Sequence, residues 1–173
     1  IKSYSTAISF YQILLQKFPD SLLSNSARFN MAVCNYELAH YSIAESMFKL
    51  VLRSSPDKKR KWEIMYYLAQ IDAKRMNYEK AFNILKQLYE QTQDKEIGKR
   101  ALKIAENLIN EKVSTTQISS LIQKLGAGFP VDLLLLKRIS SFRAKGNISG
   151  YITSLEKFVD TLPNHPRKVQ MAN

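Results

Sequence analysis

Residues 41–56, with the sequence YSIAESMFKLVLRSSP, contain the pattern that decides the fold of this chain. Ala44, Phe48 and Val51 follow one another at spacings of four and three residues, which places all three on one face of an α-helix. Pro56 follows five residues later. Because proline lacks a backbone N–H and disfavours helical geometry in the residue before it, we predict that the helix ends there.

The same pattern recurs along the chain at a step of 37 residues. Tyr4, Tyr41 and Tyr78 keep this step, and an alanine follows each of them three residues later. Three further rows keep the same register: Tyr11, Phe48, Leu85 and Ile122; Leu14, Val51, Leu88 and Leu125; Pro19, Pro56, Gln93 and Pro130. A fixed step of roughly 20–50 residues is typical of repeat arrays, in which one supersecondary unit stacks on the next.

A second helical run precedes two of these helices, at residues 27–38 and 64–75. In the first run Ala32 lies twelve residues before Ala44, and the second run repeats this arrangement. Small side chains at both places allow two antiparallel helices to approach closely. The connections between the paired helices are so short that they predict helical hairpins.

This unit of helix, tight turn, helix and proline resembles the tetratricopeptide repeat (TPR), a helical hairpin of about 34 residues. The small, aromatic and proline positions of that family are occupied here by Ala32, Tyr41, Ala44, Phe48 and Pro56. The match recurs, with a glutamine in place of the proline, at Ala69, Tyr78, Ala81, Leu85 and Gln93. The resemblance implies an all-α fold, a right-handed α-α superhelix (a TPR-like solenoid) of about four and a half helical hairpins.

The resemblance divides the chain into a well-matched region, 1–92, and a degenerate region. The parts in chain order are a half unit (1–20), two TPR-like units (21–57 and 58–93), degenerate TPR-like units (94–166) and an exit tail (167–173). The helix that would complete the half unit would precede Ile1. We therefore expect the chain to be a fragment of a longer protein.

The degenerate region departs from the pattern in two ways. Ile118 replaces the packing alanine in the fourth unit. In the fifth unit the step shortens to 33 residues, and the alanine, aromatic, second apolar and proline positions fall on Tyr151, Leu155, Phe158 and Pro163. The fifth unit, 132–166, is therefore recognisable mainly from its end.

The composition favours a packed, positively charged protein. The chain has 26 Lys and Arg against 15 Asp and Glu, a net charge of +11, which could attract nucleic acid, anionic lipid or acidic protein. Two clusters concentrate this charge, KKRK at 58–61 and the one-sided row Lys95, Lys99 and Lys103. Either could be a solvated face or part of a partner-binding surface. No apolar run reaches the roughly 18 residues of a membrane helix, so no transmembrane segment is predicted.

The sequence contains no constellation of residues that predicts catalysis. The two histidines, His40 and His165, have no Cys, Asp or Glu neighbours at metal-ligand spacing. No glycine-rich loop suited to phosphate is present, and the acidic residues are scattered. We therefore predict no enzymatic activity, and no catalytic, metal or cofactor site.

The TPR resemblance implies a binding surface on the first helix of each hairpin. Aromatic rings flanked by amides and charges suit a peptide, because rings supply contact area at little entropic cost. The alternative is that the tyrosines only pack against the adjacent helix. The predicted partner-binding groove comprises Phe29, Asn30, Val33, Tyr36, Tyr66, Tyr67, Gln70, Lys74, Lys99 and Lys103.

The function that follows is a non-catalytic scaffold whose groove binds a peptide or a partner protein. Phrases such as FPDS at 18–21 resemble the TPR segments of bacterial cell-envelope proteins, which implies a periplasmic or cell-envelope location, with the cytoplasm as the alternative. The half unit could also pair with a second copy of the chain and give a homodimer.

Two other functions remain open at this point. The tail LPNHPRK, 162–168, resembles the exit from helical repeats before a periplasmic ligand-binding domain. The chain would then be the N-terminal accessory or oligomerisation module of a larger receptor or enzyme. An RNA-binding helical repeat is disfavoured, because readers of one base per repeat need recurrent polar pairs, and Asn30, Tyr67 and Lys103 do not recur.

Overall fold

The structure, a computed structural model, describes residues 2–91 and 95–161. In that part the chain forms nine α-helices and no β-strand. The helices are α1 (Lys2–Lys17), α2 (Ser24–Glu37), α3 (Tyr41–Arg53), α4 (Lys58–Lys74), α5 (Tyr78–Gln91), α6 (Lys95–Glu111), α7 (Thr115–Leu125), α8 (Val131–Ala144) and α9 (Ile148–Thr161). The all-α class is confirmed. Gln93, Pro163, His165 and the exit tail lie outside the described residues.

The helices form two compact units, Ile1–Met76 and Asn77–Asn173. In the first unit α2 packs against α1 and α3, and α4 packs against α3 and α2. In the second unit α5 contacts α6 and α7, while α8 contacts α6, α7 and α9. Contacts thus run between helices close in sequence, as in an α-helical repeat. The right-handed superhelix stays a prediction.

The apolar rows predicted from the 37-residue step form the core of both units. In α3 the side chains of Ala44, Phe48 and Val51 are at most 1% exposed. The same positions are buried in α5 (Ala81, Leu85, Leu88) and in α7 (Ile118, Ile122, Leu125). Burying a large apolar side chain stabilises a fold by about 1.5–3 kcal/mol, so each helix is held mainly by this stripe.

Three of the helices end in the same kind of turn. Ala39, Met76 and Gly146 follow α2, α4 and α8 with φ of 59°, 61° and 65°. This left-handed residue lets a later backbone N–H bond back into the helix end. After α2 and α8 that bond reaches a carbonyl five residues earlier, at 2.8 and 3.0 Å. Five positions after these turn residues the chain has Ala44, Ala81 and Tyr151. Tyr151 thus takes the place of the alanine, as in the predicted alignment of the fifth unit.

The contact between α8 and α9 differs from this scheme. Tyr151 and Leu155, predicted for the alanine and aromatic rows, are only half-buried. Phe158, predicted for the second apolar row, is buried at 0% exposure, and the other buried residue of α9 is Ser154, at 1%. The helix therefore turns a neighbouring stripe towards its partner, because a tyrosine is too large to replace the alanine where two helices cross.

A glycine provides the space for this altered contact. A Cβ placed on Gly150 would lie 2.8 Å from two ring carbons of Phe142 on α8. Ser154, one turn further along α9, folds its Oγ back to donate to the Gly150 carbonyl oxygen at 2.7 Å. Small residues on α9 thus accommodate a large ring on α8.

This contact predicts that Gly150→Val destabilises the protein by about 1–3 kcal/mol, because the new side chain overlaps the Phe142 ring. Chemical denaturation followed by circular dichroism measures the change. Ser149→Val, at the exposed neighbouring position, should stay within about 0.5 kcal/mol of the parent.

The overlap should also be relieved by removing the ring. In a Phe142→Ala protein, Gly150→Val should lower the free energy of unfolding clearly less than in the parent chain, since the effects of substitutions at contacting sites are not additive. Equal costs on both backgrounds would show that the ring does not set the limit.

Candidate binding surface on α2 and α4

Eight of the ten residues of the predicted groove lie on α2 and α4, two helices that contact each other in the first unit. The other two, Lys99 and Lys103, lie on α6 in the second unit. The structure brings together the α2 and α4 residues: Phe29, Asn30, Val33 and Tyr36 from α2, and Tyr66, Tyr67, Gln70 and Lys74 from α4.

Phe29 and Tyr66 lie in the core, not on a surface. They are 6% and 3% exposed, so a partner could not reach their rings. The Phe29 ring packs on Phe48 of α3, with ring centroids 5.7 Å apart, and the guanidinium of Arg60 lies 3.8 Å above it. The expectation that these two residues contact a partner is therefore corrected: here the alternative interpretation, packing against the adjacent helix, describes the molecule.

The rings of Tyr36 and Tyr67 are shared between core and surface. Tyr67 stacks on Phe48 with centroids 5.0 Å apart and planes 14° apart. The edge of one tyrosine meets the face of the other at 5.1 Å, and Tyr36 also contacts Tyr41 of α3 at 5.8 Å. Such pairs contribute about 0.5–1.5 kcal/mol each beyond their burial. Both rings remain half-buried, so one part of each is held by packing and another part reaches solvent.

A hydrogen bond between side chains joins the two helices at this surface. The Tyr36 hydroxyl donates to Oε1 of Gln70 at 3.2 Å. Burial raises the pKa of Tyr36 to about 12, and the nearby Tyr41, Glu37 and Tyr67 add to the rise. The phenol therefore stays neutral at physiological pH and keeps its proton for this bond.

The remaining residues complete a mixed surface, which we call the α2–α4 face. Asn30 and Val33 are half-buried, and Lys74 is exposed at the end of α4. The face thus offers an amide and an aliphatic group on α2, two partly exposed tyrosine rings, and a second amide and a cation on α4. It consists of Asn30, Val33, Tyr36, Tyr67, Gln70 and Lys74.

The basic cluster at 58–61 divides into exposed and packed residues. Lys58, Lys59 and Lys61 are exposed, as a solvated corner would be. Arg60 instead covers the Phe29 ring and forms an ion pair with Glu63 at 3.1 Å. Sequence reasoning missed this role of Arg60; its spacing of three residues from Glu63 on one helix was the available signal.

Asp57 explains why α4 can begin with four basic residues. Its carboxylate accepts a hydrogen bond from the Arg60 backbone N–H at 2.9 Å, which caps the helix. The negative charge of the cap also offsets the unfavourable placement of cations at a helix N-terminus.

The basic row on α6 is a surface feature of the second unit. Lys95, Lys99 and Lys103 are all exposed. Lys99 forms an ion pair with Glu96 at 2.8 Å, and this hydrogen bond raises the pKa of the lysine. At such exposure the pair is screened by solvent, so the row acts as a set of solvated charges.

Two titratable groups of the described residues lie near the turn after α2, outside this face. Burial raises the pKa of the Cys34 thiol, which makes it a poor nucleophile. His40 lies in the turn after α2, and its Nδ1 is 3.3 Å from Oδ1 of Asn35. Over residues 2–91 and 95–161 no three His, Cys, Asp or Glu side chains are grouped so that they could hold a metal ion.

Comparison with other proteins gives no relative for this chain. No model of a known protein family, no curated protein and no solved structure matches it. None of the helices in the described part of the chain is long and apolar enough to cross a bilayer.

The raised pKa of Tyr36 predicts a specific loss of stability at high pH. A group whose pKa is raised on folding stabilises the native state below its unfolded pKa, near 10, and loses that contribution as the pH rises towards 12. The unfolding free energy of the parent chain should therefore fall between pH 10 and 12 by about 1–2 kcal/mol more than that of Tyr36→Phe. Denaturant titrations of both proteins across this range measure the difference. Parallel curves would contradict a buried, neutral phenol.

Proposed function

We propose that this chain is a non-catalytic scaffold that binds a peptide or a partner protein on its α2–α4 face. The observation that carries the proposal is the Tyr36–Gln70 hydrogen bond beside the stacked ring of Tyr67. These contacts hold polar and aromatic groups in place before a ligand arrives. Binding then costs little conformational entropy, since the side chains are already ordered.

The chemistry of the face indicates what kind of ligand it suits. Ring edges and Val33 can bury apolar side chains, while the amides of Asn30 and Gln70 can pair with backbone groups of a peptide. Exposed Lys74 and the net charge of +11 favour a ligand with acidic residues. A peptide segment with apolar and acidic positions is therefore the proposed ligand class.

The biological setting belongs to the same proposal. The proposed setting is the periplasm or cell envelope of a bacterium, and the repeat pattern and the phrase FPDS at 18–21 support it.

An accessory or oligomerisation module of a larger receptor is a second candidate, favoured by one observation: Phe10 on α1 is 68% exposed. A large exposed apolar side chain within an apolar patch is typical of contact surfaces.

The ligand class can be tested by selecting random dodecapeptides displayed on phage against the purified chain. We expect the selected peptides to contain aromatic or aliphatic residues together with Asp or Glu. Synthetic copies should bind the parent chain, and Gln70→Ala should weaken them at least tenfold as measured by calorimetry. That loss corresponds to about 1.4 kcal/mol or more.

A pair of matched variants separates the face from general charge attraction. Lys74→Ala and Lys59→Ala each remove one exposed lysine from α4. Lys74→Ala should weaken binding several-fold, and Lys59→Ala should not. Equal effects, or peptides insensitive to Gln70→Ala, would overturn the proposal. Binding of single-stranded RNA that falls steeply with salt would support the RNA-binding alternative instead.

A further inference from the structure

The loop between α1 and α2, residues 18–23, presents large apolar side chains to solvent. Phe18, Leu22 and Leu23 are 62%, 100% and 61% exposed. The backbone of this loop is nevertheless held in place. The Phe18 carbonyl oxygen accepts hydrogen bonds from the Ser21 N–H at 3.2 Å and from the hydroxyl of buried Ser24 at 2.9 Å. A group of exposed apolar side chains on such a loop is typical of a surface that contacts a protein or a membrane.

The internal repeat shows which of these side chains occupy positions that stay exposed when a complete hairpin precedes them. A step of 37 residues takes Phe18 to Ser55 and Leu22 to Lys59. Both counterparts are exposed, although α2 and α3 precede them. Leu23 is set aside, because its counterpart on α4 packs on a ring of the preceding hairpin. The exposure of Phe18 and Leu22 is therefore a property of their place in the repeat.

The N-terminus of α4 lies at the same edge of the first unit as this loop. Arg60, in the first turn of α4, lies over the ring of Phe29 in the first half of α2. Further along both helices, the Tyr36 hydroxyl donates to Gln70. The two helices therefore run parallel, with their N-termini side by side. Because contacting helices lie about 8–10 Å apart, the loop before α2 and the first turn of α4 can meet one surface together.

The first turn of α4 adds positive charge to this edge. Lys58, Lys59 and Lys61 are exposed. Segments 17–25 and 53–61 together contain six basic and two acidic residues, and one of the acidic residues caps α4. Apolar and basic side chains thus share this edge of the unit. We call it the basic edge, and it consists of Phe18, Leu22, Lys58, Lys59 and Lys61.

We propose that the basic edge docks on the surface of an anionic lipid bilayer. The lysines are attracted to the negative charge of the lipid headgroups. Phe18 and Leu22 enter the boundary between headgroups and acyl chains, where their apolar area is removed from water. A nucleic acid would also attract the lysines, but it offers no hydrocarbon to Leu22. A bilayer needs no shaped pocket, so two apolar side chains on a short loop can gain from it.

The expected affinity is that of a peripheral contact. A single myristoyl chain binds membranes with an association constant of about 10⁴ M⁻¹, and two apolar side chains with three lysines should give a value of similar order. We expect half of the protein to be bound at about 0.1–1 mM accessible lipid at low ionic strength. Binding should fall as added salt screens the lysines from the headgroups.

Co-sedimentation of the 173-residue chain with lipid vesicles tests the proposal. The parent should bind vesicles with about 30% phosphatidylglycerol in phosphatidylcholine at least about tenfold more tightly than vesicles of phosphatidylcholine alone. Leu22→Ser should weaken this binding at least about fivefold, because it removes apolar area that enters the bilayer. The matched control is Ile43→Ser, in the first turn of α3 at the opposite edge of the unit, where Ile43 is 50% exposed. It should bind as the parent does. Circular dichroism confirms that both variants fold.

A crossed pair of lysine variants separates the basic edge from the α2–α4 face. Lys59 and Lys74 are both exposed and lie at opposite ends of α4. Lys59→Ala should weaken vesicle binding about fivefold and leave peptide binding unchanged. Lys74→Ala should weaken peptide binding and leave vesicle binding unchanged. Equal effects of the two variants on vesicle binding would show attraction by the net charge of +11 alone and would overturn the proposal.

Four further results would contradict docking on an anionic bilayer. The first is a parent chain that stays in solution at about 5 mM lipid, well above the expected midpoint. The second is equal binding to neutral and anionic vesicles, and the third is an equal response to Leu22→Ser and Ile43→Ser. The fourth is an oligonucleotide that binds in the absence of vesicle binding and is lost in Lys59→Ala but kept in Leu22→Ser, which would assign the edge to nucleic acid. None of these results bears on the α2–α4 face, so the two proposals can fail separately.

Discussion

The close approach of α2 and α3 at Ala32 and Ala44 is the contact on which the rest of the first unit depends. Both alanines are completely buried, which allows the two helix backbones to lie near each other. Phe48 belongs to the same cluster of buried residues, and its ring has no exposed surface. The ring then provides the platform on which Tyr67 of α4 stacks, so the crossing also positions the next helix.

The second helix of the first complete hairpin, α3, packs against helices on two sides. α3 contacts α2 on one side and α4 on the other, and the ion pair between Glu45 and Arg75 closes the second contact. Stability in such an array is a sum of local terms between adjacent helices. On α1, which packs against α2, Phe10 is 68% exposed.

Packing and binding compete for the same aromatic side chains in the first unit. A ring that stabilises the stack gives up the face that a ligand would use, as Phe29 has done beneath Arg60. Tyr36 and Tyr67 are only half-buried, so each ring is held by its neighbours and still reaches solvent. Rigid rings of this kind lose little freedom on binding, which is why a structural cluster can also serve as a recognition surface.

The sequence by itself determined the helical period and the buried rows, because spacing along one helix decides which side chains share a face. That held for α3, α5 and α7, and it placed eight groove residues on two neighbouring helices. Only the tertiary structure decided how far each face is covered. In the structure Phe29 and Tyr66 are buried and Arg60 packs on a ring. On α9, Ser154 is buried where Tyr151 was predicted. The physical reason is that exposure depends on the size and distance of side chains on other helices, and no spacing within one helix contains that information.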